Sequence, residues 1–196
     1  MKPLLIVISA PSGAGKSTLC NRLLAIRPDI TYSISCTTRA PRGGEVDGCH
    51  YFFMTPTAFE EKVAEGAFLE HAVVHGNRYG TLKQTVNEAM QQQRSVLLDI
   101  DVQGVRQVRD TLAVLPHEHR MTTGFVDIFI HPPSMEELQR RLLKRGEDTP
   151  VVIERRLENA KREIEDAGRY RYQVVNDVLE TALQELLGIV EKEQAQ

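Results

Sequence analysis

An unbroken apolar run, residues 4–9 (Leu4-Leu5-Ile6-Val7-Ile8-Ser9), passes without a spacer into Ala10-Pro11-Ser12-Gly13-Ala14-Gly15-Lys16-Ser17. A strand with no polar alternation is buried on both faces, which places it inside a parallel sheet. Parallel neighbours need a crossover, usually a helix. Residues 18–27 supply one, with Leu19, Leu23, Leu24 and Ile26 on its apolar side. Between strand and helix the glycines have a chemical use. Gly13 and Gly15 let backbone N–H groups approach phosphate oxygens, and the positive end of the helix adds to the attraction. Lys16 is then placed for the β- and γ-phosphates of a nucleoside triphosphate, and the Ser17 hydroxyl for Mg2+. The strict pattern begins with glycine where this chain has Ala10, a residue small enough for the loop to keep its path. The loop alone implies that a triphosphate binds and leaves open what receives its phosphoryl group.

The rest of the chain continues the alternation. Residues 30–35, 96–100 (VLLDI) and 125–130 read as further buried strands, and Val174-Val175 as a last short one. Asp99 ends the VLLDI strand, placed to hold the metal ion through water. Thr55-Pro56 is a helix start and Gly66 its stop. Residues 68–75 read as a strand closed by a turn at Gly76-Asn77, and Thr81 as the cap of a helix reaching about Gln92. Helices are also expected from 103 to 110, from 135 to 144 after Pro132-Pro133-Ser134, from Thr149-Pro150 to about Ala167, and from 179 to 193. Residues 111–124 carry the least pattern and read as a surface loop. The result is a three-layer α/β fold, a central five-stranded parallel sheet covered by helices on both faces.

Composition narrows the function by exclusion. A formal net charge of −3 gives no reason to expect a nucleic-acid partner, so any anion site must be built from locally placed cations. Six apolar residues are too few for a signal-peptide core or a membrane span. Cys20, Cys36 and Cys49 are odd in number with no paired spacing, and read as reduced thiols. The expected location is cytoplasmic. His71 and His75 lie four apart, but no acidic or cysteine partners complete a metal set.

The polar segment 35–51, SCTTRAPRGGEVDGCHY, puts Arg39, Arg42 and Tyr51 in one glycine-hinged loop. Guanidinium forks bind phosphate oxygens bidentately, so Arg39 and Arg42 are candidates to clamp a monophosphate. Read alone, the segment is equally open to being a solvated loop. APSGAGKST, SCTTRAPRGGEVDGCHY, FLEHA, NRYGT, LLDIDVQG and VVND occur here in one order, spanning residues 10–177. Together they resemble the guanylate kinase family of P-loop nucleoside monophosphate kinases.

That resemblance implies transfer of the γ-phosphoryl group of ATP to GMP, with Mg2+ accompanying ATP. ATP and GMP would be the partners of a monomer or a homodimer. It implies a core at 1–34, 81–137 and 166–196, a GMP-binding insert at 35–80 and a helical lid at 138–165. Ala10, Pro11, Ser12, Gly13, Ala14, Gly15, Lys16, Ser17 and Thr18 would bind ATP, with Asn176 near the adenine. Ser35, Glu70 and Thr81 would face guanine, whose N1–H and 2-amino group are adjacent donors that one carboxylate accepts. Arg39, Arg42, Tyr51 and Tyr79 would hold the GMP phosphate, Glu45 would orient the arginines, and Asp101 would lie beside the acceptor. Lys16, Arg39, Arg145 and Arg156 would act on the transferring group, with Arg141 in reserve, and Ser17 and Asp99 would serve the metal. Two rivals remain: a phosphoprotein-binding scaffold domain of similar fold, and a P-loop kinase with another acceptor such as a sugar phosphate. The first would have a degraded loop, whereas Gly15, Lys16, Ser17 and Asp99 are all present. The second gives no reason for Glu70 and the paired tyrosines.

Overall fold

The computed structural model describes residues 1–146 and 148–196, with Arg145 described by its backbone only. The first strand, β1 (Leu5–Ser9), is buried along its whole length and lies between two parallel neighbours, β7 (Ser95–Asp99) and β8 (Phe125–His131). Outer strands β2 (Ile30–Tyr32) and β9 (Tyr172–Val175) complete an all-parallel sheet of order β2-β7-β1-β8-β9. The continuous apolar run therefore forms the middle of the sheet, as its composition requires.

Side-chain alternation divides β1 between two cores. Leu4, Ile6 and Ile8 pack with Leu19 and Leu23 of α1 (Lys16–Ile26) and with Leu183 and Leu186 of α8 (Leu179–Gln194). Leu5 and Val7 face the other way, against Val86 and Met90 of α3 (Lys83–Gln91) and Val105, Val108 and Leu112 of α4 (Val102–Ala113). Each fully buried aliphatic side chain contributes about 1.5–3 kcal/mol. Ile26, expected on the apolar face of α1, is 49% exposed in that helix's last turn.

A second sheet, of order β4-β3-β6-β5, uses β3 (Cys36–Thr37), β4 (Phe52–Phe53), β5 (Phe68–Val74) and β6 (Asn77–Leu82). β5 and β6 form a hairpin around His75 and Gly76, both at positive φ, the conformation that two-residue turns demand. Helix α2 (Pro56–Ala64) covers this sheet. Thr55 Oγ1 accepts from Ala58 N, and Phe59 stacks on Phe68. After β8, α6 (Met135–Arg145) is capped by Ser134 and α7 (Pro150–Glu165) follows; Leu138, Leu142, Ile153 and Ala160 make a small core between them.

Three expectations are corrected. Thr81 caps no helix: it belongs to β6, its hydroxyl is used on Glu70, and Leu82 is the residue before α3. Residues 111–124 are not a plain loop. α4 runs on to Ala113 because Leu112 is buried, and α5 (Arg120–Thr123) forms a short turn that buries Met121, with His119 Nδ1 accepting from Met121 N. The strand expected at 30–35 stops at Tyr32, from which the chain crosses to the second sheet at Cys36. Among the described residues no helix is long and apolar enough to cross a membrane.

Candidate active site

At the carboxyl end of β1 the chain turns through Ala10–Gly15 into α1, with Gly13 at φ 93° and Gly15 at φ 92°, conformations that side chains resist. The loop is braced from two sides. Asn176, after β9, is 5% exposed and donates from Nδ2 to Ala14 O at 2.8 Å. A Cβ on Gly15 would lie 2.2 Å from that same nitrogen, and one on Gly13 would lie 3.0–3.1 Å from Leu142 and Leu138 of α6. Asn176, expected beside adenine, gives one of its amide hydrogens to the loop. Arg141 donates to Asn176 O at 3.0 Å and to Glu137 at 2.9 Å.

Lys16 reaches back over the loop, donating to Ile100 O at 2.9 Å and pairing with Asp99. A cleft of about 390 Å3 runs along the loop, lined by Ala10, Gly15, Lys16, Ser17, Asp99 and Glu163 among others. Arg156 of α7 stands at its rim, 3.5 Å from Ser12 Oγ and paired at 3.1 Å with Asp148. The Arg145 side chain lies outside the described residues.

A second cleft, of about 300 Å3, opens against the smaller sheet. Ser35, Tyr51, Glu70, Tyr79 and Asp101 line it, so five of the expected acceptor residues come together there. Thr81 does not reach it. Only 1% exposed, it sits behind Glu70 and donates its hydroxyl to Oε1 at 2.7 Å. Glu70 is 7% exposed, and burial, together with Asp101, raises its pKa above the ordinary value while the Thr81 bond partly opposes that.

Arg39 forks onto Glu45 at 2.8 and 2.9 Å, with its guanidinium 5.2 Å from the centre of the Tyr51 ring. Arg39 and the Arg42 backbone N–H hold the Glu45 carboxyl down to about 2, so the fork stays charged. Arg42 extends into solvent, and neither arginine lines the cleft. The decisive relation joins the two clefts. Asp99 and Asp101, at the end of β7 and the start of α4, line both. A ligand in each would bring its charged end to the same acidic corner.

The family model for guanylate kinase matches residues 2–193. The chain belongs to the guanylate kinase family. It is 50% identical over 187 residues to a guanylate kinase of Syntrophotalea carbinolica, covering 95% of this chain and 84% of that one. A guanylate kinase of Clostridium perfringens is 47% identical over 186 residues, covering 95% and 82%. Among solved structures, the guanylate kinase of Anaplasma phagocytophilum superposes with a TM-score of 0.71 at 34% identity, covering 99% of this chain and 87% of that one.

Within this guanylate kinase fold, three polar cleft residues escape the motif reading. Tyr32 and His50 line the smaller-sheet cleft, and Glu163 lines the loop cleft. Each had a signal. Tyr32 ends a parallel strand, where ligands of open α/β sheets gather. His50 lies inside the arginine loop. Glu163 follows Arg156 by two helical turns on α7, so one periodicity puts both toward the loop. Burial and Asp101 push the Glu163 carboxyl up to about 7.

Proposed function

We propose that the protein transfers the γ-phosphoryl group of ATP to GMP, giving ADP and GDP, that dGMP serves in place of GMP, and that Mg2+ accompanies ATP. The reaction returns a purine monophosphate toward the triphosphate pool. The observation that carries this reading is the pair of clefts meeting at Asp99 and Asp101, one behind a phosphate loop and one floored by a buried carboxylate.

On the donor side the backbone N–H groups of the loop and Lys16 bind the triphosphate, and Ser17 and Asp99 would hold the metal. Mg2+ takes few protein oxygens and fills its sphere with phosphate and water; a hydroxyl and a carboxylate within one cleft suit that demand. Held there by Ser17 and Asp99, the ion would neutralise charge on the triphosphate. On the acceptor side Glu70, held by Thr81 and joined by Ser35, reads guanine. Its carboxylate accepts N1–H and the 2-amino group together, whereas adenine would leave it unpaired. Tyr51, Tyr79, Arg39 and Arg42 hold the phosphate, and Glu45 keeps Arg39 aimed across the Tyr51 ring.

The acceptor is already an anion, so the transfer needs little help from a base and depends on in-line placement and surrounding cations. Residues 1–34, 81–137 and 166–196 act as the core, 35–80 as the acceptor insert and 138–165 as the lid, both moving parts excluding water that would otherwise hydrolyse ATP. Arg156, joined by Arg145, approaches the transferring group from the lid. The test is ADP release in a coupled assay offering GMP, dGMP, AMP, CMP and UMP in parallel. Turnover is expected with GMP and dGMP and at most traces with the others. Silence with GMP would instead favour a binding domain, and turnover with another acceptor a different kinase.

A further inference from the structure

β5 is the outer strand of the smaller sheet, so one row of its backbone groups has no strand partner. Such edges are normally covered or charged. Here α4 covers it with side chains. The Gln107 carboxamide accepts from His71 N at 3.0 Å and donates to His71 O at 3.0 Å, closing the two-bond ring that a neighbouring strand would make. One turn on, Thr111 Oγ1 donates to Leu69 O at 3.2 Å. The residue between these tethers is Glu70.

The same helix meets the Glu70 side chain directly. A Cβ at Gly104 would lie 3.4 Å from Glu70 Oε2, van der Waals distance, and a tighter 3.2 Å from Ile100, so the carboxylate packs beside the helix at Gly104. Oε1 is held from the opposite side by Thr81. Both α4 anchors, Gly104 and Gln107, are three residues apart and share one helix face. That face begins at Asp101, which caps α4 through Gly104 N at 2.8 Å and lines both clefts.

We infer that Gln107 is a positioning residue for base recognition: by clamping both peptide groups of His71 it fixes Glu70 against Gly104, where the carboxylate can accept two guanine donors at once. The inference rests on the reading of Glu70 as the residue that binds guanine. A carboxylate free to shift would still meet one donor but lose the second. Loosening the clamp therefore acts on the 2-amino group more than on N1–H, and on the acceptor more than on ATP.

The test compares Gln107→Met, which keeps length and loses both hydrogen bonds, with Gln107→Glu, which keeps the acceptor toward His71 N–H. Kinetics are measured with GMP and with IMP, which lacks the 2-amino group. Gln107→Met is expected to raise KM for GMP about tenfold, the scale of two lost hydrogen bonds, while kcat and KM for ATP stay within about twofold. The GMP-to-IMP ratio of kcat/KM is expected to narrow by a similar factor, with Gln107→Glu falling between. An unchanged ratio in Gln107→Met, or equal losses for ATP and GMP, would overturn the clamp. Glu70→Gln run in parallel separates the two claims. If it abolishes guanine preference while Gln107→Met does not, Glu70 reads the base unaided; if it leaves preference intact, the parent reading fails instead.

Discussion

On the proposed reading Glu70 accepts guanine's donors only while ionised, yet burial and Asp101 both favour its protonated form. Guanine's two donors must supply what water no longer does. Affinity for GMP is therefore expected to fall as pH drops below neutral, because the free enzyme keeps the Glu70 proton to a higher pH than an ordinary carboxyl would. The same sign governs stability without ligand: this group's contribution is complete at low pH and is lost as pH rises through the raised value. The GMP phosphate also titrates near pH 6, like other phosphate monoesters, and Glu70→Gln isolates the difference. That substitution turns one acceptor into a donor and is expected to reduce kcat/KM for GMP by roughly 10⁴-fold at neutral pH. The ratio of wild-type to variant kcat/KM should shrink as pH falls; a constant ratio would remove Glu70 from the titration. FLEHA marked Glu70 as a candidate carboxylate for guanine's donors, and the structure buries it in the lining of the smaller-sheet cleft. Thr81 was legible only as a member of the group. That it stands behind the carboxylate and not against the base depends on the register of β5 with β6, where Glu70 pairs with Thr81, and register across a hairpin is not written in either strand alone.

At the scale of elements, the phosphate loop is the place where local backbone and distant packing agree most closely. Gly15 needs positive φ, and Asn176 occupies the space a Cβ would take. Gly15→Ala therefore meets two penalties at once, a strained backbone and the displacement of the amide that holds Ala14 O. Loss of ATP-analogue binding by at least about tenfold is expected by calorimetry, with a backbone strain of about 1–3 kcal/mol lowering the melting temperature. Retained affinity would show that the loop tolerates another path. The elements themselves were unevenly legible. The core strands announced themselves because burial on both faces favours short runs rich in Ile, Leu and Val. β3 and β4 have two residues each, too short for any period, and depend on pairing across the arginine loop. α4 outran its expected end, and α5 formed, because Leu112 and Met121 find cover against the second core cluster, contacts with no local signature.

Across the whole molecule, the carboxyl end of the main sheet gathers the loop after β1, the acidic corner after β7, and Arg156 of α7 at the loop's rim. Strand–helix alternation made the parallel sheet readable, but the order of its strands comes from their packing. The position of α7 was not, because a charged helix has the same pattern whether it faces solvent or substrate. Arg156 has two neighbours that favour the second case. Asp148 pairs with it at 3.1 Å, and Ser12 of the loop lies at 3.5 Å, near the limit of a hydrogen bond. An arginine that only decorated a solvated face would not be steered onto the phosphate loop. In this arrangement its positive charge matters most when charge on the transferred group is spread over its outer oxygens, in the transition state more than in either bound substrate. Interactions of that kind change kcat and leave ground-state affinity nearly alone. Arg156→Ala is therefore expected to lower kcat about 10³-fold, the contribution typical of an arginine in phosphoryl transfer, while the Kd for GMP measured by calorimetry moves less than about threefold. Asp148→Asn keeps the guanidinium and removes the charge that aims it, so a smaller loss in kcat is expected. Equal kcat in wild type and Arg156→Ala would mean that α7 meets the loop for packing alone.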